Sequence, residues 1–242
     1  MGTTYGGIGM TEPKKWANQF GSGNIDGKPT SVWGKKLLGG TAGMALTADQ
    51  IVQLWFKLVP KDKKYNVYCE PFAGKARTYE ALRQTGNPTD NFMIWGGKNS
   101  EVYLNDMSIH AQEFCQKEFP EAIITGVSYE ETIKAVDSEN TFFMIDPPWR
   151  KKIYTNNEFF VCDQSIPQYY NTLLDMVETM KGDWFIASSA DEHECRGVLT
   201  KSKWNTMIVK SNKKKKIFGK PARTMLCSNL IPDSMNKTEI DF

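Results

Sequence analysis

The chain has 242 residues, 40% of them hydrophobic and 12% aromatic, and a formal charge of only +2. That length suits one α/β domain with a modest appendage, and that apolar content excludes disorder as a global description. A near-neutral balance leaves any nucleic-acid affinity to local clusters of Lys and Arg.

Residues 1 to 46, rich in Gly, Lys and Thr, form the least globular part and are expected to be partly flexible, with the folded domain spanning 47 to 242. "MGTTYGGIGMTEPKK" lacks a signal-peptide core, and no apolar run reaches the roughly eighteen residues of a membrane helix, so a cytoplasmic location is expected. "TADQIVQLWFKLV" carries Ile51, Leu54, Trp55 and Leu58 at helical spacing, with Thr47 as N-cap and Pro60 as stop. Short strands and helices then alternate: strand "YNVYCE", helix "ARTYEALRQ", strand "EVYLND", helix "SIHAQEFCQKEF", strand "AIITGV", helix "YEETIKAV" and strand "TFFMID". Helix "IPQYYNTLLDMVETM", strand "DWFIASS" and helix "DEHECRGVLT" follow, the last with Asp191 as expected cap. "WNTMIVKS" and "ARTMLCSNLI" flank "NKKKKIFGKP" as an antiparallel hairpin, expected to give the sheet an antiparallel edge strand and to carry its lysines at the tip. Five scattered cysteines (Cys69, Cys115, Cys162, Cys195, Cys227) form no C-x-x-C pair and are expected as reduced thiols, with no metal site.

Alternating strands and helices imply a parallel sheet with right-handed crossovers, and ligands of such sheets sit at the carboxyl ends of the strands. That rule selects Glu70 to Gly74, Asn105 and Asp106, Ser128, and Asp146 to Trp149. In "VYCEPFAGKARTYEAL" a strand ends in an acid, and a Gly-containing loop opens a helix whose free N–H groups suit an anionic ligand group. Asp106 is placed either to accept ribose hydroxyls or to cap the next helix, and the two roles can coexist. "DPPW" is the specific signal: an acceptor at a strand tip (Asp146), a loop stiffened by Pro147 and Pro148, and an aromatic plate (Trp149). An exocyclic amine on a flipped base needs those three things. A plain turn with a core tryptophan is the alternative.

These motifs resemble the Dam-type N6-adenine DNA methyltransferases, over roughly residues 30 to 230. "VYCEPFAGKA" is similar to the family's V-Y-x-E-P-F-x-G-x-G loop, which implies that Glu70, Pro71, Phe72, Ala73 and Gly74 surround the methionine part of S-adenosylmethionine. The resemblance further implies Asp106 on the ribose, Ser128 and Tyr129 beside the cofactor adenine, and Trp33 with Lys35 or Lys36 touching the cofactor. "FFMIDPPW" is similar to the catalytic motif, D-P-P-Y in most members, which implies that Asp146, Pro147, Pro148 and Trp149 are catalytic. The implied fold is a Rossmann-like class I methyltransferase, α/β, with a mostly parallel seven-stranded sheet, helices on both faces and the antiparallel C-terminal hairpin. The implied activity is methyl transfer to adenine N6 in DNA; RNA adenine, cytosine N4 and an inert methyltransferase-like subunit are the alternatives.

Two departures stand out. Lys75-Ala76-Arg77 replaces the family's second glycine, and Gly74 and Asp146 are too close in sequence to hold a large target-recognition domain between them. Target recognition is therefore minimal or supplied by a partner protein. Arg150, Lys151 and Lys152, with Tyr154 beside them, and Lys213, Lys214, Lys215 and Lys216 are the candidate nucleic-acid contacts, through phosphate neutralisation. A dinucleotide oxidoreductase, a further alternative, predicts a full G-x-G-x-x-G after the first strand, which the chain lacks.

Overall fold

The structure, a computed structural model, describes residues 48–84, 100–148, 165–210, 216–217, 220–221 and 223–241. In chain order the elements are α1 (Ala48–Leu58), β1 (Val67–Glu70), α2 (Arg77–Gln84), β2 (Glu101–Asn105), α3 (Ile109–Glu118), β3 (Ile123–Thr125), α4 (Tyr129–Val136) and β4 (Thr141–Ile145). They continue with α5 (Ile166–Glu178), β5 (Asp183–Ser189), α6 (His193–Lys201), β6 (Asn205–Lys210), β7 (Lys216–Ile217), β8 (Lys220–Pro221), β9 (Arg223–Ser228), a short 3₁₀ turn and β10 (Thr238–Asp241). Eight strands form one sheet in the order β10-β6-β9-β5-β4-β1-β2-β3, while β7 and β8 pair as a separate ribbon.

β4 is buried at all five positions, as a strand covered on both faces must be. Its side chains alternate between two cores. Phe142 and Met144 join Trp55, Tyr65, Tyr68, Phe185 and Leu226 beneath α1, α2 and the end of α3. Phe143 and Ile145 join Trp184, Ile186, Tyr170, Leu173 and Leu199 beneath α4, α5 and α6. Helix starts follow local chemistry: Ser108 caps α3, Ser165 caps α5, and Ser128 with Glu131 forms a capping box on α4.

Three sequence expectations are corrected. The sheet has eight strands and not seven, because "TEID" pairs parallel with β6 along all four of its residues. So short and polar a segment carries no alternation to announce it; Asn236 Oδ1, accepting from Thr206 N at 3.0 Å, holds the approach. The antiparallel strand β9 is internal, because β5 and β6 pair with it on either side, and the edge is β10. Lys216, the last of the lysine run, does not sit at the hairpin tip but pairs with Pro221 in the ribbon, and Lys213 to Lys215 lie outside the described residues. A fourth expectation, the Asp191 cap, also fails: α6 has Glu192 at its N-cap with no side-chain capping bond, and Arg223 of β9 holds Asp191 Oδ1 at 2.7 and 3.0 Å.

Trp55 is fully buried, with its ring centroid 4.8 Å from Phe142 and 6.3 Å from Phe185, so it joins α1 to both central strands. Trp55→Ala is expected to cost about 3–5 kcal/mol in denaturant unfolding; a loss below about 1 kcal/mol would show that α1 is not anchored there.

Candidate active site

The strand order reverses between β1 and β4, since β2 and β3 lie to one side of β1 and β4 and β5 to the other. The carboxyl ends of two neighbouring strands therefore open into one crevice, where open α/β sheets bind ligands. Glu70 ends β1 and Asp146 follows β4 directly, so the topology brings these two predicted residues to the same place. Asp106, just past β2, flanks them.

Each acid has a different environment. Glu70 is buried, and its Oε1 accepts from Tyr68 Oη at 2.6 Å and from Tyr79 N at 2.7 Å. Tyr79 lies in the first turn of α2, so the strand-end carboxylate does the work of an N-cap side chain that Ala76 cannot do. Burial, opposed by those two hydrogen bonds and helped slightly by Asp146, holds the Glu70 carboxyl up at about 8. Asp106 Oδ2 accepts from Gly74 N at 2.9 Å and Oδ1 from Ser108 N at 2.8 Å; burial still raises its carboxyl above the ordinary value. The helix-capping role goes to Ser108, and Asp106 supports it through an Asx turn. Asp146 Oδ1 is sealed from solvent and has no hydrogen-bond partner among the described residues. Burial pushes its carboxyl up to about 7. A sealed, unmatched acceptor at a ligand edge is an invitation to a donor.

The loop after β1 is shaped by two left-handed residues, Gly74 (φ 52°) and Ala76 (φ 47°). A Cβ added to Gly74 would meet nothing within 4 Å, so the backbone there faces open space. Lys75 and Arg77, which replace the open glycine pattern, are instead buried at 3% and 8% exposure. Lys75 Nζ stands 5.5 Å from the Phe114 ring centroid, directed toward α3. Burial, helped by Arg77, lowers the Lys75 ammonium to about 6, and burial lowers Arg77 to about 10 against the pull of Glu80.

Phe72, Tyr129 and Tyr169 form an aromatic trio, with Phe72–Tyr129 centroids 5.1 Å apart and Tyr129–Tyr169 5.7 Å apart. Ser128 lies at the start of α4 with its hydroxyl committed to Glu131 N. Pro147 and Pro148 are buried directly behind Asp146. The structure thus brings together Glu70, Pro71, Phe72, Ala73, Gly74, Asp106, Ser128, Tyr129 and Asp146 at one rim. Trp33, Lys36, Trp149, Arg150, Lys151, Lys152, Tyr154 and Lys213 to Lys215 lie outside the described residues, and Lys216 lies in the ribbon.

Two features were given no role in the sequence, although the strand-end rule had picked out Asn105. Asn105 ends β2 with every side-chain atom bonded, and its signal was an amide closing an apolar strand where amides are depleted. Beneath the crevice, Tyr170 Oη and Ser188 Oγ share a buried 2.8 Å hydrogen bond, and Tyr170 feels the Asp146 charge. No spacing rule would have paired them.

No family model matches the chain, and no curated protein matches it in sequence. Solved structures do match in fold. A candidate class I S-adenosylmethionine-dependent methyltransferase from Listeria monocytogenes superposes with a TM-score of 0.51 at 10% identity, over 82% of this chain and 65% of that one. A candidate methyltransferase from Streptococcus mutans, crystallised with SAH, gives 0.45 at 8% identity, over 73% and 97%. The methyltransferase subunit of a type I restriction-modification system from Streptococcus thermophilus gives 0.46 at 12%, over 81% and 46%. This chain therefore spans about two thirds of the Listeria chain and under half of the restriction-modification subunit. The fold is the Rossmann-like class I methyltransferase fold, with β10 added at one edge.

The sealed Asp146 carries a pH signature. Its carboxyl is raised in the folded chain and ordinary in the unfolded one, so the folded state holds more protons between about pH 4 and 7, and stability falls as pH rises through that window. Asp146→Asn removes this slope while Glu70 keeps its own. The variant's melting temperature is expected to exceed the wild type's at about pH 8 and to approach it at about pH 4.5; an equal difference at both would show that Asp146 is ionised throughout.

Proposed function

We propose that the chain is an S-adenosylmethionine-dependent methyltransferase of the Dam type that methylates the N6 amine of adenine in DNA. The observation that carries this reading is the sealed, unpartnered Asp146 Oδ1 at the head of D-P-P-W, beside an open glycine at the switch point of a class I methyltransferase fold.

The crevice fits the cofactor by its donor set. Gly74 leaves room for close backbone approach, Asp106 keeps lone pairs free for ribose hydroxyls beyond its two backbone donors, and Phe72 and Tyr129 supply an apolar wall. When bound, S-adenosylmethionine supplies an electrophilic methyl group on a sulfonium. The chain's own part is positioning and electrostatics. Asp146 Oδ1 and the Pro147 carbonyl accept the amine N–H groups and orient the nitrogen lone pair, and both oxygens stabilise the amine as it becomes cationic. The buried prolines hold those acceptors without rearrangement, and Trp149 stacks on the base. Neither a metal nor a covalent enzyme intermediate enters this scheme.

The test is incubation with labelled S-adenosylmethionine and, separately, unmethylated duplex DNA, single-stranded DNA and RNA, followed by digestion to nucleosides. Label is expected in N6-methyldeoxyadenosine, reduced at least about 100-fold by Asp146→Ala. Label in cytosine, label confined to RNA, or label that survives the substitution would sink the reading.

The proposed phosphate contacts make a second prediction. Each Lys or Arg that neutralises a duplex phosphate steepens the log–log salt dependence of binding by about 0.9. Replacing Lys213 to Lys216 with alanine should therefore flatten that slope by about 2–4, measured by fluorescence anisotropy on DNA, with no change in sequence preference. An unaltered slope would make the run a solvated turn.

A further inference from the structure

Asn105 is 1% exposed and stands at the last position of β2, between the loops that follow β1 and β3. Its Nδ2 donates to Pro71 O and to Val127 O, both at 3.0 Å. Its Oδ1 accepts from Thr125 Oγ1 at 2.8 Å and from Val127 N at 3.1 Å, and its backbone O accepts from Ala73 N at 2.7 Å. Both amide hydrogens and both Oδ1 lone pairs are thereby used, which is the full capacity of a carboxamide.

The arrangement does two separate things. Toward β3, the amide binds both the N–H and the C=O of Val127, standing in for a strand peptide and extending the sheet one pairing beyond Thr125. Toward β1, it captures the Pro71 carbonyl while the Asn105 main chain captures Ala73 N–H, so the first turn of the glycine loop is pinned at two points. Because a trans peptide is planar, turning the Pro71 carbonyl toward Asn105 turns the Phe72 N–H the opposite way. The Asn105 side chain thus bonds to both the Pro71–Gly74 loop and the Val127–Ser128 loop. Asp106, the next residue, then completes the frame by accepting from Gly74 N.

We propose that Asn105 is a positioning residue for the cofactor: its carboxamide latches the Pro71–Gly74 loop to the Val127–Ser128 loop at the spacing that an S-adenosyl ligand requires. A buried amide with four bonds holds a fixed distance far better than two loops packed on apolar contacts alone, because each lost partner leaves a buried polar group unmatched. The latch rests on the proposed cofactor, and it predicts an effect on binding that a merely stabilising residue would not produce.

The experiment is calorimetric titration of S-adenosylhomocysteine into wild type, Asn105→Asp and Thr125→Val, each well below its own unfolding midpoint. Asn105→Asp keeps the shape but faces two carbonyls with a carboxylate oxygen; its Kd is expected to rise about 10-fold or more, consistent with loss of hydrogen bonds at two anchored loops. The KM for S-adenosylmethionine should rise by a similar factor, with a smaller fall in kcat. Thr125→Val withdraws the hydroxyl that orients Asn105 Oδ1 without touching either loop, and should raise Kd about threefold; should the Asp variant fail to fold, this one decides. Midpoints that drop while both Kd values stay within about twofold of wild type would overturn the latch and leave the cofactor reading standing. A wild-type protein that takes up no S-adenosylhomocysteine would overturn the cofactor reading, and the latch with it.

Discussion

Burial of β4 and β1 on both faces is the constraint on which the rest depends. Strands covered on both sides can carry polar groups only at their ends, and the strand order reverses between these two. Glu70 and Asp146 are thus forced into one crevice by topology, not by attraction. Burial raises the proton affinity of both carboxylates, and Asp146 adds a smaller push on Glu70. A crevice of that kind favours a ligand that brings positive charge or N–H donors, and a sulfonium and an exocyclic amine are such groups.

The loop that departs from the family pattern works by a different device. Ala76 takes the left-handed conformation that a glycine would adopt freely, at a cost of roughly 1–2 kcal/mol. Its surroundings over-determine that geometry: Ala76 N donates to Ala73 O at 2.6 Å, and Ala76 O accepts from Glu80 N at 2.9 Å. Glu70, accepting from Tyr79 N, completes the helix start. Lys75 and Arg77 then lie buried beside α2 and α3, with Lys75 turned onto Phe114, so the absent second glycine does not close the space at Gly74.

Much of this was legible in the chain because local and global signals agreed. "DWFIASS" is a strand over the span its apolar run indicates, and "TFFMID" ends its ladder one residue before the acid. The glycine after the first strand and the acid after the second marked two walls of the crevice through a general rule about carboxyl ends. What escaped was non-local. β10 exists because a parallel partner is available along β6, and four residues with one apolar side chain cannot declare that. Asp191 carried every mark of a helix cap, yet Arg223, 32 residues later, claimed its carboxylate. Asn105 was visible as a strand-end amide, but its four bonds go to the loop after β1, the loop after β3 and the end of β3 itself. Propensity and spacing describe neighbours along the chain, and these bonds join neighbours in space.

Topology also narrows where a target could be read. The segment 85–99 joins the end of α2 to the start of β2, so both of its roots lie at the amino ends of the strands, opposite the crevice. The segment 149–164 begins directly after Pro148 at the carboxyl rim. The β7–β8 ribbon also springs from that rim, because β6 runs in the same direction as β5 and β9 returns from the point where β6 ends. At the ribbon's base Arg223 joins Asp191 and Glu239, and Glu239 joins Lys210, so β5, β6, β9 and β10 are tied together where the ribbon leaves the sheet. Exposed pairs of this sort add little stability one by one, but a connected set restricts direction. The carboxyl rim of the sheet is thus the root of both the segment that follows Pro148 and the β7–β8 ribbon. The added strand β10 acquires a reason as well: it supplies Glu239 to that brace.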